Sequence, residues 1–164
     1  MKLLEAHIEG LALDMTTNSP VVILAPEGLN KVLPIWIGHA EAWGIAMELS
    51  GVEAKRPMTY DLIKLVFDTL ETKVERIVIT ELREQTFYAR LFLTCNGKEY
   101  DIDARPSDSI AVALKTGAQI YVNEELFNLK ASDSPEMPDI PNDPESLRER
   151  LKKINPEDFG KYSL

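Results

Sequence analysis

The sequence predicts an α+β domain: one mixed, mostly antiparallel, curved sheet with helices packed against it. Three observations point there. Short apolar or alternating runs separated by turn residues fill the first 37 positions and recur from about 72 to 105. Segments with a helical period come in a block between those two sets and again after the second, so strands and helices do not alternate strictly. An Asn-Gly pair at 96–97 divides two strand-like runs, as in a tight antiparallel hairpin.

Taken in order, "LLEAHIEGLALD", "PVVILAP" and "KVLPIWIG" read as strands, with "TTNSP" and "EGLN" as the turns between them. Pro34 inside the third run places it at a sheet edge, because proline cannot donate to a ladder. "HAEAWGIAMELSG" changes period: Ala42, Ile45, Ala46 and Leu49 recur at helical spacing, and Gly51 stands where a helix would stop. Thr59 is placed to cap a second helix whose apolar stripe is Leu62, Ile63, Val66, Phe67 and Leu70. "KVERIVITEL" and "QTFYARLFLTC" resume the sheet, with Phe87, Ala89, Leu91 and Leu93 on one face of the latter and Tyr88, Arg90 and Phe92 on the other. Beyond Arg105-Pro106, Ser107 can cap a third helix that buries Ile110, Ala111, Ala113 and Leu114 and ends at Gly117, before a short strand "AQIYV". These elements form one domain over 1–130. Residues 131–164 read as an acidic, turn-rich tail in which Asp143-Pro144 opens a short helix carrying Leu147, Leu151 and Ile154.

Composition narrows the function classes. The chain has 164 residues, enough for one domain with a sizeable core. A single cysteine, Cys95, excludes an internal disulfide and a multi-cysteine zinc site. No run is long and apolar enough to span a membrane and the start lacks a secretion signal, so a cytoplasmic location is expected. The formal charge of −9 opposes tight, sequence-independent binding to a nucleic-acid backbone, so any DNA or RNA contact is expected to be weak or local. The glycine-rich dinucleotide loop, the phosphate-binding glycine-lysine loop and the histidine-glutamate zinc motif are all absent from the sequence.

Chemistry concentrates in "DIDARPSDSI". On a strand through 105, Asp101, Asp103 and Arg105 share a face, and Asp108 falls in the first turn of the helix, where a carboxylate is favoured. One reading makes the segment a lock: Arg105 pairs with aspartates, while Ser107 and Asp108 cap the helix. The other starts from electrostatics. Crowded carboxylates need a cation, either arginine or a divalent metal such as Mg²⁺ or Mn²⁺, and such a metal can polarise a phosphodiester and activate water. On that reading Asp103, Asp108 and Asp61 are the metal ligands, Glu41 joins them as a catalytic residue, and Arg56, Arg90 and Arg105 bind phosphate. Capping and packing compete with the ligand role at Arg56, and an internal ion pair competes with it at Arg90. His39 at a helix start could act as a base, whereas His7 reads as structural, and Trp36 and Trp43 as packing or interface groups.

"LPIWIGHAEAWGIAMEL", "RPMTYDLI", "TFYARLFL" and "DIDARPSDSIAVALKTGAQIYV", in this order and spacing, resemble the bacterial and plant bifunctional nuclease domain family over most of residues 3 to 125. The resemblance implies a self-associating α+β domain, with a homodimer favoured, and a nuclease activity on DNA and RNA. Its matching polar positions are Glu41, Arg56, Thr59, Asp61, Tyr88, Arg90, Asp103, Arg105, Ser107 and Asp108. Where the family commonly has histidine, this chain has Tyr60, and where some relatives add a carboxy-terminal module this chain has its acidic tail. The competing expectation is a non-catalytic oligomeric scaffold or regulatory domain, whose charged motifs are internal ion pairs and whose apolar surface mediates subunit contact.

Overall fold

A computed structural model describes residues 1–129, 144–145 and 151–153. Its element order is β1 (Leu3–Asp14), β2 (Ser19–Pro26), β3 (Leu33–Trp36), α1 (His39–Ser50), α2 (Thr59–Thr69), β4 (Thr72–Arg83), β5 (Thr86–Cys95), β6 (Lys98–Ala104), α3 (Pro106–Thr116), β7 (Gln119–Asn123) and β8 (Leu151–Lys153). A short 3₁₀ turn at Glu124–Asn128 follows β7 and buries Leu126 and Phe127. The sheet is open and mixed, in the order β3-β2-β1-β7-β4-β5-β6; all described pairings are antiparallel except the parallel β4–β7. The α+β expectation therefore holds, and β3, which carries Pro34, is an edge strand as expected.

Period-two alternation sets the two faces. Phe87, Ala89, Leu91 and Leu93 of β5 are buried and join Val74, Ile77 and Ile79 of β4 in the main core. On the reverse face the Arg76 guanidinium lies 4.4 Å from the centre of the Phe92 ring, and Arg83 lies 4.5 Å from that of Tyr88. Asn96 (φ 50°) and Gly97 (φ 72°) turn β5 into β6 with two left-handed residues, the geometry a two-residue hairpin requires. Gly51 (φ 69°) and Gly117 (φ 72°) end α1 and α3 in the same conformation, which a glycine adopts without a Cβ clash.

Five local expectations need correction. Ser107 does not cap α3. Pro106 occupies the first helical turn, which makes Arg105 the N-cap, and Ser107 is buried. Thr59 is likewise inside α2, and the first-turn residue Asp61 reaches back so that the Met58 backbone N–H donates to it at 2.9 Å. The apolar stripe assigned to α2 is not buried either. Ile63 and Phe67 pack only partly against the core, while Leu62, Leu65, Val66 and Leu70 stand in solvent. Leu49, on the buried stripe expected for α1, is also exposed at its last turn, and Met47 takes a place in the core instead. Within the tail, Pro144 and Glu145 are helical, in keeping with a helix start there, but Leu151–Lys153 form a strand paired antiparallel with Ala12–Asp14 of β1, where the leucine spacing suggested a helix; Leu147 and Ile154 lie outside the described residues.

α3 is the central helix, with seven buried residues, and it organises the other two. Glu41 near the start of α1 meets Arg105 at the start of α3, and Glu48 near the end of α1 meets Lys115 near the end of α3, so α1 and α3 run side by side in one direction. α2 starts across the middle of α3: Tyr60 reaches Asp108 one way and Asp61 reaches Lys115 the other.

Candidate active site

The carboxylates singled out from the sequence settle in three different places. Each of Glu41, Asp61 and Asp108 lies in the first turn of its helix, where exposed N–H groups and the helix dipole favour negative charge. That common local reason does not bring them all together. Glu41 and Asp108 converge on Arg105, whereas Asp61 sits about 10 Å further along α3 with Lys115, seven residues on from Asp108. Asp103 is in β6, in register opposite Arg90 on the sheet face away from the helices. Arg90 on that face is ion-paired with Asp101, in an exposed rather than a buried pair.

The first of these places is a solvent-facing charged cluster. Arg105 Nε donates to Asp108 Oδ2 at 2.7 Å and Nη2 to Oδ1 at 3.1 Å, a two-toothed grip, while Nη2 also meets Glu41 Oε1 at 2.9 Å. Arg105 does not share a face with Asp101 and Asp103, as an unbroken strand would have required. The strand ends at Ala104, and Pro106 turns the chain so that Arg105 swings to the helix side. Tyr60 Oη donates to Asp108 Oδ1 at 2.9 Å. Burial, then the hydrogen bond to Asp108 and the charges of Asp108 and Glu41, push the Tyr60 phenol well above its ordinary range, with Arg105 opposing, so it stays protonated at any physiological pH. The Arg105 side chain is 65% exposed, and Asp108 with Glu41 hold its guanidinium firmly in the charged form. The cluster is therefore a cation clasped by two anions, with a neutral O–H at one side and solvent in front.

Two glycines make the packing possible. A Cβ on Gly44 of α1 would lie 2.6 Å from the Tyr60 ring, so the ring stacks directly on the helix backbone. The Glu41 carboxylate folds back over Gly38 into space that a Cβ there would occupy, which aims it at Arg105. Beside the cluster runs a groove of about 760 Å³, with Leu62, Ile63, Val66, Phe67, Leu91 and Ile102 along it and Glu41, Tyr60, Arg105 and Asp108 at its polar end. A second hollow of about 440 Å³, lined by Ser19, Trp36, Phe87 and Ser107 among others, also borders Arg105.

Tyr60 and Lys115 were not among the residues singled out for the site. The sequence signals for Tyr60 are its hydroxyl, useful as an acid only if its surroundings shift it, and its place in "TYDL", where the family commonly has histidine. Lys115 is the basic residue in the last turn of α3, a position with no signal of its partners in sequence. The remaining candidates lie elsewhere. Arg56 is exposed in the loop between α1 and α2, His39 is an exposed first residue of α1, and His7 is an exposed strand residue beside Glu9. Trp36 is a structural group, its indole N–H donating to the buried Asp14 at 2.8 Å. Among the described residues, no three histidine, cysteine, aspartate or glutamate side chains gather closely enough to hold a metal ion. Asp103, Asp108 and Asp61 thus form no ready-made metal cage.

The second place, Lys115, is a tie rather than a reactive site. Its ammonium lies 2.6 Å from both Glu48 and Asp61 and its side chain is 20% exposed, so it joins the ends of all three helices. The Lys115 hydrogen bond holds Asp61 below the usual carboxylate range against the effect of burial, and the Met58 N–H adds to it. Burial pulls Lys115 down, but Asp61 and Glu48 together carry it above its ordinary value. The Asp61 contribution to stability is therefore present at neutral pH and lost as pH falls through the carboxylate range. The Lys115 contribution is present below its unfolded pKa and lost as pH rises through the raised one. Lys115→Met is expected to cost about 2 kcal/mol at pH 7, between the values for exposed and buried pairs, because it leaves Glu48 and Asp61 facing each other. Denaturant unfolding from pH 4 to 8 checks this: the deficit should shrink toward pH 4, as protonation removes the repulsion.

Residues 21–134 match the family model described as the bifunctional nuclease domain. An uncharacterized protein of Mycobacterium tuberculosis is 36% identical over 162 residues, covering 94% of this chain and 97% of its own length. Bifunctional nuclease 1 of Oryza sativa subsp. japonica is 26% identical over 116 residues, and bifunctional nuclease 2 of Arabidopsis thaliana is 27% identical over 112. These two alignments cover 69% and 66% of this chain but only 35% and 34% of the plant proteins, about a third of their length. With its sequence motifs, open mixed sheet and a model match that includes the whole Glu41–Tyr60–Arg105–Asp108 cluster, the chain belongs to the bifunctional nuclease domain family.

Proposed function

We propose that this protein hydrolyses phosphodiester bonds in DNA, RNA or both, at the cluster of Glu41, Tyr60, Arg105 and Asp108. The observation that carries the reading is the solvent-facing guanidinium of Arg105 held between two carboxylates at the end of a groove. Rice and Arabidopsis relatives bearing the name bifunctional nuclease support it. A phosphate reaching Arg105 competes with the carboxylates for its donors. The carboxylate it displaces is then free to take a proton from water as that water attacks phosphorus. The P–O bond to the leaving oxygen breaks and that oxygen takes a proton, for which Tyr60 is the adjacent O–H donor. Arg105 neutralises the charge that builds on the phosphoryl oxygens. The proton gained by the carboxylate balances the one given up by Tyr60.

Mg²⁺ or Mn²⁺ belongs to the test and not to this sequence of steps, since the described carboxylates do not fit a preformed site. The charge of −9 makes weak substrate binding part of the reading. So are a cytoplasmic location, in line with the absence of any membrane-spanning helix among the described residues, and a homo-oligomeric state, a dimer being favoured. A second reading, a non-catalytic oligomeric scaffold, draws on the saturation of Arg105 by its own carboxylates and on the exposed apolar face of α2. The test is cleavage of single- and double-stranded DNA and RNA by highly purified protein, with Mg²⁺, with Mn²⁺ and with chelator. Asp108→Asn is expected to lower the rate by about 100-fold and Asp103→Asn by no more than a few-fold. Activity undiminished in folded Asp108→Asn and Asp103→Asn samples alike would point to a contaminant or another site and remove this cluster from catalysis.

A further inference from the structure

The hollow of about 440 Å³ that borders Arg105 takes no part in the hydrolysis steps. Its floor is buried, made by Ile35 of β3, Phe87 of β5, and Pro106 and Ser107 of α3. Thr17, Gln85 and Thr86 stand exposed at its rim. Among the described residues that line it, only Arg105 is charged, in a chain whose formal charge is −9. Gly38 and Arg105, the N-caps of α1 and α3, both border it, so two helix starts add positive field there. The carboxylates of those first turns, Glu41 and Asp108, are not part of its lining. Ser107 lines it while only 6% exposed, and the Ser107 hydroxyl has no hydrogen-bond partner among the described residues.

We propose that this hollow is a nucleoside subsite: with a phosphate on Arg105, the sugar and base attached to it sit against Trp36, Phe87 and Ser107. Size, surface and charge each select that occupant. The volume of about 440 Å³ lies within the roughly 300–1,000 Å³ of small-molecule sites. A nucleobase presents two apolar faces and a polar edge. The hollow answers with apolar walls from Ile35, Trp36, Phe87 and Pro106, and with the polar groups of Ser19, Gln85, Thr86 and Ser107. The Trp36 indole N–H donates to Asp14 at 2.8 Å, which orients the ring before any ligand arrives. Charge decides against the other occupants. A cationic ligand finds no carboxylate in the lining, whereas a nucleotide meets Arg105 and two helix starts. A ligand that bonds to the Ser107 hydroxyl also removes the penalty of leaving a buried polar group unpaired. This deepens the hydrolysis reading by locating one nucleotide of the substrate, and it rests on that reading only for the phosphate at Arg105.

Calorimetric titration of the full chain with the 5′- and 3′-monophosphates of adenosine, with adenosine and with inorganic phosphate tests the subsite. One of the two monophosphates is expected to bind about 10-fold or more tightly than phosphate alone or adenosine alone. Whichever isomer does so shows on which side of the scissile bond the hollow lies. Thr86→Trp fills the hollow from its exposed rim and should abolish that preference while leaving phosphate binding unchanged. Ser107→Ala should weaken it several-fold and, as the smaller change, decides the matter where circular dichroism shows Thr86→Trp to be misfolded. Monophosphates that bind no tighter than phosphate, or not at all up to about 10 mM, overturn the subsite. A preference that survives intact in both folded variants overturns it as well. Binding with the expected preference but no cleavage of DNA or RNA keeps the subsite and ends the hydrolysis reading. Cleavage that Arg105→Lys abolishes, with no preference for a monophosphate, does the reverse.

Discussion

Arg105→Lys is expected to lower nucleic-acid cleavage by about 10²- to 10³-fold while changing folding stability by about 1 kcal/mol or less. The separation of the two effects follows from geometry. The Arg105 side chain is mostly in solvent, so its ion pairs are screened and add little to stability. Its function depends on the planar fork: Nε and Nη2 grip both oxygens of Asp108 while Nη2 also reaches Glu41. A lysine ammonium is a point charge on a flexible stem and cannot hold two carboxylates and a phosphate in fixed positions at once. Single-turnover cleavage alongside denaturant unfolding reads both quantities. A folded Arg105→Lys enzyme of full activity would remove Arg105 from the mechanism and, with it, the reason for placing catalysis at this cluster. If activity is lost only because binding weakens, raising the substrate concentration restores the rate, and Arg105 is then a substrate-binding group without a transition-state role.

The sequence made the scaffold legible where one residue type has one physical use. Gly51 and Gly117 end helices because a left-handed residue is needed there, and Asn96-Gly97 forms a hairpin for the same reason. It was less legible where two rules compete. "RPSD" offers Ser107 as a cap, but proline in the first turn fixes the cap one residue earlier, and that shift turns Arg105 out of the strand and toward the helices. The site suffered most from this. Asp103 and Arg105 read as neighbours on one strand face, yet the strand ends between them and they serve opposite sides of the sheet. Asp61 and Asp108 share a helix-start chemistry that says nothing about distance, and only the crossing of α2 over α3 sends one to Lys115 and leaves the other with Tyr60. The exposed stripe of α2 carries the opposite lesson. Its periodicity announced burial, and the described chain does not supply the covering surface.

Tyr60→Phe is expected to reduce the cleavage rate by about 100-fold with little change in apparent substrate affinity, because it removes an O–H donor but not a phosphate contact. The lost hydrogen bond to Asp108 should cost about 1 kcal/mol of stability, small enough for the variant to stay folded. The wild-type phenol, pushed above its ordinary range chiefly by burial, gives no pH-dependent step between pH 6 and 9, so the alkaline limb of the profile should not belong to Tyr60. Tyr60→His separates a proton donor from a packing ring. An imidazole in the same place keeps a ring against Gly44 and an N–H toward Asp108, but it titrates near neutrality. If donation is what the position supplies, Tyr60→His should outperform Tyr60→Phe at pH 6, and its rate should fall as pH rises through the histidine pKa, which the nearby Asp108 and Glu41 carboxylates raise. Equal activity of the phenylalanine and histidine variants at every pH would make the ring a spacer, and the leaving oxygen would then have to take its proton from solvent.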